Sequence, residues 1–511
     1  MPPFAAAVLV FLSSAAVLVL EILAARLLAP YVGVTLETYT AIIGVILAGI
    51  AVGSWLGGKA ADARDPRGLL SPLLIMGGAL AFASIPVIDL LGASLRGGGP
   101  VATTVLTVLG FFLPAAVLSG VTPAVIKIQL ASLEETGRVV GRLSALSTAG
   151  AIFGTFFTGF LLVAAFPTRP VVRATAVFLI VLGVGTAVYL RSGRSVTAGG
   201  MVAVLAAGTL SFVSPHPCEY ESAYYCAFIV EEGDTGRALH LDTLRHSYVD
   251  LADPSHLEFL YTQWFGDTIG TVAPDGEPLT ALHIGGGGFT MPGYLRSEHP
   301  GSSSTVLEVD PLLVELSKEK LGLELGDDLD ILTGDARVTV AEVADDTYDV
   351  VIGDAFGGVA VPWHLATEEF TQLMRDRMSA DGIYMMNVID YGPRDFLRAE
   401  VATLGAVFEH VAVIGRPGAF GDLGRTGPDG QQQAPVPDEP VGGNHVVIAS
   451  DQPLPIEALF ATNRSRARVD AILHGAELQT FIEGAPVLTD DRAPVDQLLT
   501  PRPPATERPI A

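Results

Sequence analysis

Two kinds of apolar pattern divide this chain. Up to about residue 215 the apolar residues come in long runs, near 4–28, 39–57, 69–92, 101–120, 144–166, 171–190 and 199–214. A helix crossing the hydrocarbon core of a bilayer needs about 20 consecutive apolar residues. The pattern therefore predicts an N-terminal multi-span α-helical membrane domain over 1–215, with about seven spans. The first run is too long, and too closely followed by the next, for a removable signal peptide. Beyond residue 220 the runs are short. Segments 224–230, 237–242 and 245–251 read as strands joined by tight turns, one of them Gly233-Asp234-Thr235-Gly236, and 255–270 reads as a helix. Together they make a small β-domain over 220–270. Strands are then predicted at 279–285, 304–310, 328–334, 348–354, 382–390, 410–415 and 444–450, with helices between the early ones and Pro311 placed for a first helical turn. Such alternation means a mainly parallel sheet with helices on both faces, here over 271–500. Within it, 416–443 is rich in Gly, Pro and Gln and reads as a mobile insertion. Residues 501–511, with four prolines, read as a disordered tail.

Charge sharpens the division. The chain of 511 residues has a formal charge of −25 and a mean hydropathy of +0.46. Residues 1–215 hold 7 acidic and 12 basic side chains, and the remainder 48 and 18. The acidic part disfavours nucleic acid, whose phosphates it repels. It keeps a domain soluble and can also draw in cationic substrates. In the first part, one set of alternate loops carries Lys59, Arg64, Arg67, Lys127, Arg138, Arg142, Arg191 and Arg194, the other only Arg26, Arg96, Arg169 and Arg173. The positive-inside rule puts the first set and the N-terminus in the cytoplasm. Seven spans then leave the acidic part outside, and one span fewer leaves it inside; the sequence leaves the side open. Cys218 and Cys226 lie at the junction and can form a disulfide if that segment faces an oxidising compartment. No metal-ligand spacing accompanies them. Glu21 and Arg26 are ionisable groups in or at the end of the first span, either functional or paired and snorkelling. Gly150, Gly154 and Gly159 suit close helix packing.

The candidate chemistry lies in the second part. Leu282-His283-Ile284 runs into the four glycines Gly285, Gly286, Gly287 and Gly288. Without Cβ atoms the backbone can turn sharply and approach a ligand closely. The next predicted strand ends in Glu308, where a carboxylate can take two ribose hydroxyls. Asp335 and Asp354 follow at the ends of the third and fourth strands, at the carboxyl edge where α/β sheets bind ligands.

Four blocks in this order resemble the spermidine synthase (polyamine aminopropyltransferase) family, and the whole chain resembles its membrane-fused branch. They are Leu241-Asp242-Thr243-Leu244-Arg245-His246, then Glu258-Phe259-Leu260-Tyr261, then the glycine loop with Leu307-Glu308-Val309-Asp310 and Gly334-Asp335, then Val350-Val351-Ile352-Gly353-Asp354. The resemblance implies a methyltransferase-like Rossmann domain preceded by the small β-domain. It implies decarboxylated S-adenosylmethionine as co-substrate, no tightly bound cofactor, no metal, and a small cationic amine such as putrescine as acceptor. Glu308 would bind the ribose, Asp335 the adenine amine, and Gly285, Gly286 and Gly287 would admit the nucleoside. Asp354 would be the catalytic group, with Tyr261 and His246 in the amine pocket. A homodimer through the β-domain, or a bilayer anchor that replaces it, is implied as well.

The sequence departs from the family at three positions. Gly288 stands where the loop usually carries an aspartate that holds the aminopropyl ammonium, His246 where it has glutamine, and Gly357 where it has a second pocket aspartate. Trp363 and His364 could line an altered pocket. Two other readings stay open: a methyltransferase using intact S-adenosylmethionine, and a non-enzymatic transporter or sensor that binds a polyamine or nucleoside. For the latter, the stretch 53–64, with Gly53, Gly57, Gly58, Lys59, Asp62 and Arg64, loosely resembles the loop between spans 2 and 3 of major facilitator transporters, although seven spans are too few for a complete one.

Overall fold

The structure is a computed structural model that describes residues 1–96, 98–191, 198–274, 276–358, 360–416, 418–421, 423–424 and 442–500. Most of the expected insertion (425–441), the expected tail (501–511) and Arg194 lie outside the described residues. The chain forms two compact units, Met1–Phe228 with Leu241–Thr243, and Ile229–His240 with Leu244–Ala511.

The first unit is helical. Six helices are long and apolar enough to cross a membrane, judged by length and composition: α1 (Pro3–Val32), α2 (Leu36–Ala63), α3 (Arg67–Leu95), α4 (Gly99–Gln129), α5 (Thr136–Ala165) and α6 (Thr168–Leu190). The seventh expected segment folds as α7 (Ala198–Val213), of 16 residues. At 1.5 Å per residue it is about 24 Å long, against a hydrocarbon core of about 30 Å. Small residues set the packing where helices meet. A β-carbon at Gly150 or Gly154 would run into the main chain of Phe11 or Ala15 on α1, and one at Gly53 into that of Ala116 on α4. Gly159, expected to pack in the same way, faces open space instead.

One end of this unit is pinned by polar groups. Asp89 pairs with Arg169, both almost fully buried. Asp89 also accepts from Tyr31 Oη at 3.0 Å and from Ser214. Arg173 donates to the carbonyl of Ser211, and Arg169 to that of Pro215 at 2.8 Å. The end of α7 is thereby fixed beside the start of α6, so α7 runs back along the unit despite its length. Glu221 accepts from the Thr168 amide at 2.9 Å and lies 3.7 Å from Arg26, which also donates to the Ala223 carbonyl at 2.9 Å. Cys218 and Cys226 are disulfide-bonded. The Cys226 amide donates to Asp242 at 3.1 Å, and burial pushes that carboxyl up to about 6.

From here the chain passes into the second unit along the strand Cys226–Glu232. A four-stranded sheet has the order β1 (Tyr220–Glu221), β2 (Cys226–Glu232), β3 (Gly236–Leu241), β4 (Leu244–Asp250). The helix expected from 255 begins later, as α8 (Leu260–Val272). Asp253 explains the delay. Its side chain accepts from the Ser255 amide at 3.1 Å and from the Ser255 hydroxyl at 2.6 Å, a local turn that competes with helical bonding.

The large sheet has eight strands in the order β12-β10-β11-β9-β8-β5-β6-β7. They are β5 (Thr280–Ile284), β6 (Ser303–Glu308), β7 (Leu329–Thr333), β8 (Tyr348–Gly353), β9 (Met378–Tyr391), β10 (His410–Gly415), β11 (Gly442–Ser450) and β12 (Ala471–Leu473). The ladders from β7 through β6, β5 and β8 to β9 are parallel, whereas β11 is antiparallel to both β9 and β10. Helices α9 (Thr290–Glu298), α10 (Pro311–Lys320), α11 (Ala336–Thr339), α12 (Glu368–Arg377) and α13 (Asp395–Val407) follow β5 to β9 in turn. This is a Rossmann-like mixed α/β sheet. Alternate residues feed opposite cores, as pleating requires: Val351, Val447 and Ala449 pack on one face, Val350, Ile352, Val446 and Ile448 on the other. Strand order reverses at β5, between β6 and β8, and a crevice opens there at the carboxyl edge.

Candidate active site

The loop after β5 turns because its glycines can adopt what other residues resist. Gly285 has φ +94°, and a β-carbon there would lie 2.6 Å from the carbonyl oxygen of Asp354. Gly287 is also left-handed, at φ +51°. The Gly285 amide donates to Leu307 O at 2.9 Å and the Phe289 amide to Gly286 O at 2.7 Å, which closes the turn onto α9. Glu308, at the end of β6, holds this loop. Its Oε2 accepts from the amides of Gly286 at 2.7 Å and Gly287 at 3.2 Å, and its Oε1 from the Asp310 amide at 2.8 Å. Burial raises its pKa, and these three amides oppose the shift. One lone pair remains free, on Oε1.

Asp354 stands at the end of β8. Its Oδ1 accepts from Asn387 Nδ2 at 2.8 Å and its Oδ2 from Tyr261 Oη at 3.1 Å. Asn444 Nδ2 donates to Asn387 Oδ1 at 3.1 Å and so fixes which face of that amide meets the carboxylate. Burial pushes the Asp354 carboxyl up to about 6, while the Asn387 and Tyr261 bonds favour its charged form. Tyr261 is pushed well above its ordinary value by burial and by Asp354, so it remains a donor. A carboxylate that titrates near neutrality, held by two donors, is suited to take a proton from a substrate.

A small cavity of about 30 Å³ joins these parts. Of the residues singled out in the sequence, Gly285, Gly286, Gly287, Tyr261, His246 and Asp354 line it, and Glu308 and Asp335 do not. Asp335 is half exposed. Its Oδ1 accepts from the Arg337 amide at 2.9 Å and its Oδ2 lies 3.0 Å from His364 Nε2. Trp363 is 51% exposed, and neither it nor His364 belongs to the cavity wall. The wall near Gly288 is made by its neighbours. A β-carbon at 288 would meet Ser247 Oγ at 2.5 Å, and one at 287 would lie 3.4 Å from His246 Nδ1. Burial holds the His246 imidazole down to about 4, so it is neutral. His246 Nδ1 and Ser247 Oγ have no hydrogen-bond partner among the described residues.

Sequence reasoning missed Asn387, Asn444 and Ser247. Asn387 had a signal: it is the one amide within the apolar run of β9, Tyr384-Met385-Met386-Asn387-Val388-Ile389. An amide buried in such a strand needs partners. Asn444 and Ser247 carry no comparable mark. Among the described residues no group of three or more His, Cys, Asp or Glu side chains could hold a metal ion.

No family model matches the chain. It is 30% identical over 134 residues to the polyamine aminopropyltransferase of Vibrio vulnificus, a match that covers 26% of this chain and 44% of that protein. It is 28% identical over 162 residues to the polyamine aminopropyltransferase of Chromobacterium violaceum, covering 31% of this chain and 60% of that one. The chain thus spans about half the length of these relatives. Among solved structures, a probable spermidine synthase from Corynebacterium glutamicum aligns over 53% of this chain and 95% of its own, with 26% identity and a TM-score of 0.46.

Proposed function

We propose that the second unit is a transferase acting on a sulfonium nucleoside, moving an aminopropyl group from decarboxylated S-adenosylmethionine to a small amine such as putrescine. The observation that carries this reading is Asp354, held by Tyr261 and Asn387 in the cavity whose other wall is the glycine loop. The likeness to polyamine aminopropyltransferases supports it. In the reaction the amine nitrogen forms a bond to the carbon beside sulfur. The carbon–sulfur bond breaks, its electron pair stays on sulfur, and methylthioadenosine leaves. Sulfonium is already a good leaving group, so the protein chiefly aligns the reactants and supplies a neutral amine. Asp354 accepts the amine's proton, and Tyr261 and Asn387 fix the direction of its oxygens. The lone pair left on Glu308 Oε1 is available to a ribose hydroxyl, and Asp335 to the adenine amine. Incubation of the purified chain with that donor and a panel of amines tests the reading. Release of methylthioadenosine supports it, and no release with any amine refutes it. One observation favours methyl transfer from intact S-adenosylmethionine as the second reading: Ser247 fills the space beside Gly288, so no carboxylate stands there for the donor's ammonium.

The helical unit is read as the membrane anchor, with its N-terminus and basic loops in the cytoplasm. The chain leaves that unit at the end opposite its N-terminus, after α7 has run back to Arg169 and Asp89. The Cys218–Cys226 disulfide lies at this exit, and disulfides persist in oxidising compartments. Both features support an extracytoplasmic exit, where donor and acceptor would have to be supplied. Labelling with a membrane-impermeant thiol reagent after reduction tests this. Reaction of Cys218 and Cys226 in intact cells agrees with it, and reaction only after lysis overturns it.

A further inference from the structure

Tyr261 stands in the first turn of α8, so its distance from Asp354 depends on where the whole helix sits. The inward face of α8 carries Trp264 and Phe265, which pack with Ile352 and Ile448 of the sheet. Apolar contact is non-directional and does not by itself fix how far a helix slides or turns. A slip of about 0.5 Å away from Asp354 takes the 3.1 Å bond to about 3.6 Å, which is no longer a hydrogen bond.

Directional contacts come from a charged cluster on the far side of α8. Arg468 lies in the loop between α14 (Ile456–Ser465) and β12, the edge strand of the large sheet. Its Nη1 donates to Gln263 Oε1 at 2.9 Å, its Nη2 pairs with Asp267, and its Nε lies 3.0 Å from Asp470 Oδ2. Asp470 Oδ2 also accepts from Trp264 Nε1 at 2.9 Å, and Arg466 Nε lies 2.8 Å from Asp267 Oδ1. One guanidinium thus grips Gln263 and Asp267, a turn apart on α8, and through Asp470 it reaches Trp264. Trp264, Asp267 and Asp470 are buried. The loop is shaped for this grip. Ala467 takes a left-handed φ of +55°, and Asn463 Nδ2 donates to the Asp470 carbonyl at 2.9 Å. A residue other than glycine keeps such a φ only where its surroundings enforce it. Stability is a poor account of the cluster, because well-packed apolar groups often replace buried ion networks without loss. What the charges add is direction.

We propose that Arg468 is a positioning residue for the Tyr261–Asp354 pair, fixing the axial position and rotation of α8 at which Tyr261 Oη reaches the carboxylate. The reaction it serves rests on the transferase reading; the register of α8 does not. The test is the titration of Asp354 in the full chain in detergent, followed by the NMR signal of its carboxyl carbon and identified by the loss of that signal in Asp354→Asn. In Arg468→Met the midpoint should move from about 6 to about 7, as in Tyr261→Phe, and Tyr261→Phe added to it should move it no further. The acid limb of kcat/KM should follow. Arg468→Met leaves two carboxylates buried and can fail to fold. Arg468→Met combined with Asp267→Asn and Asp470→Asn removes those charges and should fold, with the same raised midpoint. A midpoint that stays at the wild-type value in either folded variant, or shifts from Arg468 and Tyr261 that add, overturns the positioning role. So does failure of both variants to fold, which makes the cluster structural. If the wild type releases no methylthioadenosine with any amine, the transferase reading falls, and the carboxyl titration still decides the register.

Discussion

Removing one oxygen, in Tyr261→Phe, isolates what the Tyr261–Asp354 bond does. In the structure Tyr261 Oη donates to Asp354 Oδ2 at 3.1 Å, and this bond opposes the burial that raises the carboxyl to about 6. Hydrogen bonds to charged groups are worth about 1.5–3 kcal/mol when made. At 3.1 Å, with Asn387 still in place at 2.8 Å, the lower end of that range applies. Since one pKa unit is about 1.4 kcal/mol, the carboxyl should rise by about one unit, to about 7. The base is active when deprotonated, so the rate climbs as pH rises through its pKa. For the wild type the acid limb of kcat/KM should lie near pH 6, and for Tyr261→Phe near pH 7. At pH 6 the deprotonated fraction falls from about one half to about one tenth, a loss of about fivefold, while at pH 8.5 the two enzymes differ little. The assay is product release across pH 5–9, with methylthioadenosine affinity at each pH as the control for the site. An acid limb that does not move, or a loss of equal size at every pH, would refute the bond's assignment to Asp354.

Three further predictions concern the same framework. Asp354→Asn should abolish transfer yet stabilise the fold: a carboxyl whose folded pKa exceeds its unfolded one withdraws stability as pH rises between the two, here from about 4 to about 6, so thermal unfolding of the variant should show a gain of up to about 2–3 kcal/mol at pH 7–8 and none at pH 4. Gly285→Ala puts a β-carbon against the Asp354 carbonyl at a left-handed φ, so the second unit should lose about 1–3 kcal/mol by chemical denaturation and methylthioadenosine binding should be lost. Asp89→Asn leaves Arg169 buried beside a neutral amide and should lower the thermal stability of the helical unit in detergent by about 3 kcal/mol or more, whereas replacing both residues with leucine should recover most of that loss.

The sequence pattern was legible where a single periodicity decides the outcome. All seven predicted strands from β5 to β11 appear within a few residues of their expected ends, because each is a short apolar run closed by a turn residue or an acid. The Gly285 turn was legible for the same reason: only glycine tolerates that φ with Asp354 so close. What stayed hidden depends on contacts between distant segments. Asn387 and Asn444 meet Asp354 through the antiparallel pairing of β9 with β11, a register that no local pattern encodes. Ser247 acquires a role because β4 lies against Gly288, 41 positions along the chain. The late start of α8 came from one Asp253 side chain, a local competitor that apolar spacing does not register.

Glu308 changes how the glycine loop is to be understood. From the sequence, the glycines are a cradle and the acid a separate ribose ligand. In the structure the acid has already taken the amides of Gly286 and Gly287, the same donors that a glycine loop could turn toward a ligand. A ribose that bonds to Glu308 through Oε1 therefore meets a carboxylate already oriented by the loop. On the proposed reading, loop geometry and nucleoside binding are coupled through this one carboxylate. Shortening or lengthening the carboxylate arm should disturb both together, which two independent features would not do. Glu308 lies outside the cavity wall, its Oε2 turned to the loop amides. The cavity beside the loop has Asp354 on one wall and the unpartnered His246 and Ser247 on the other.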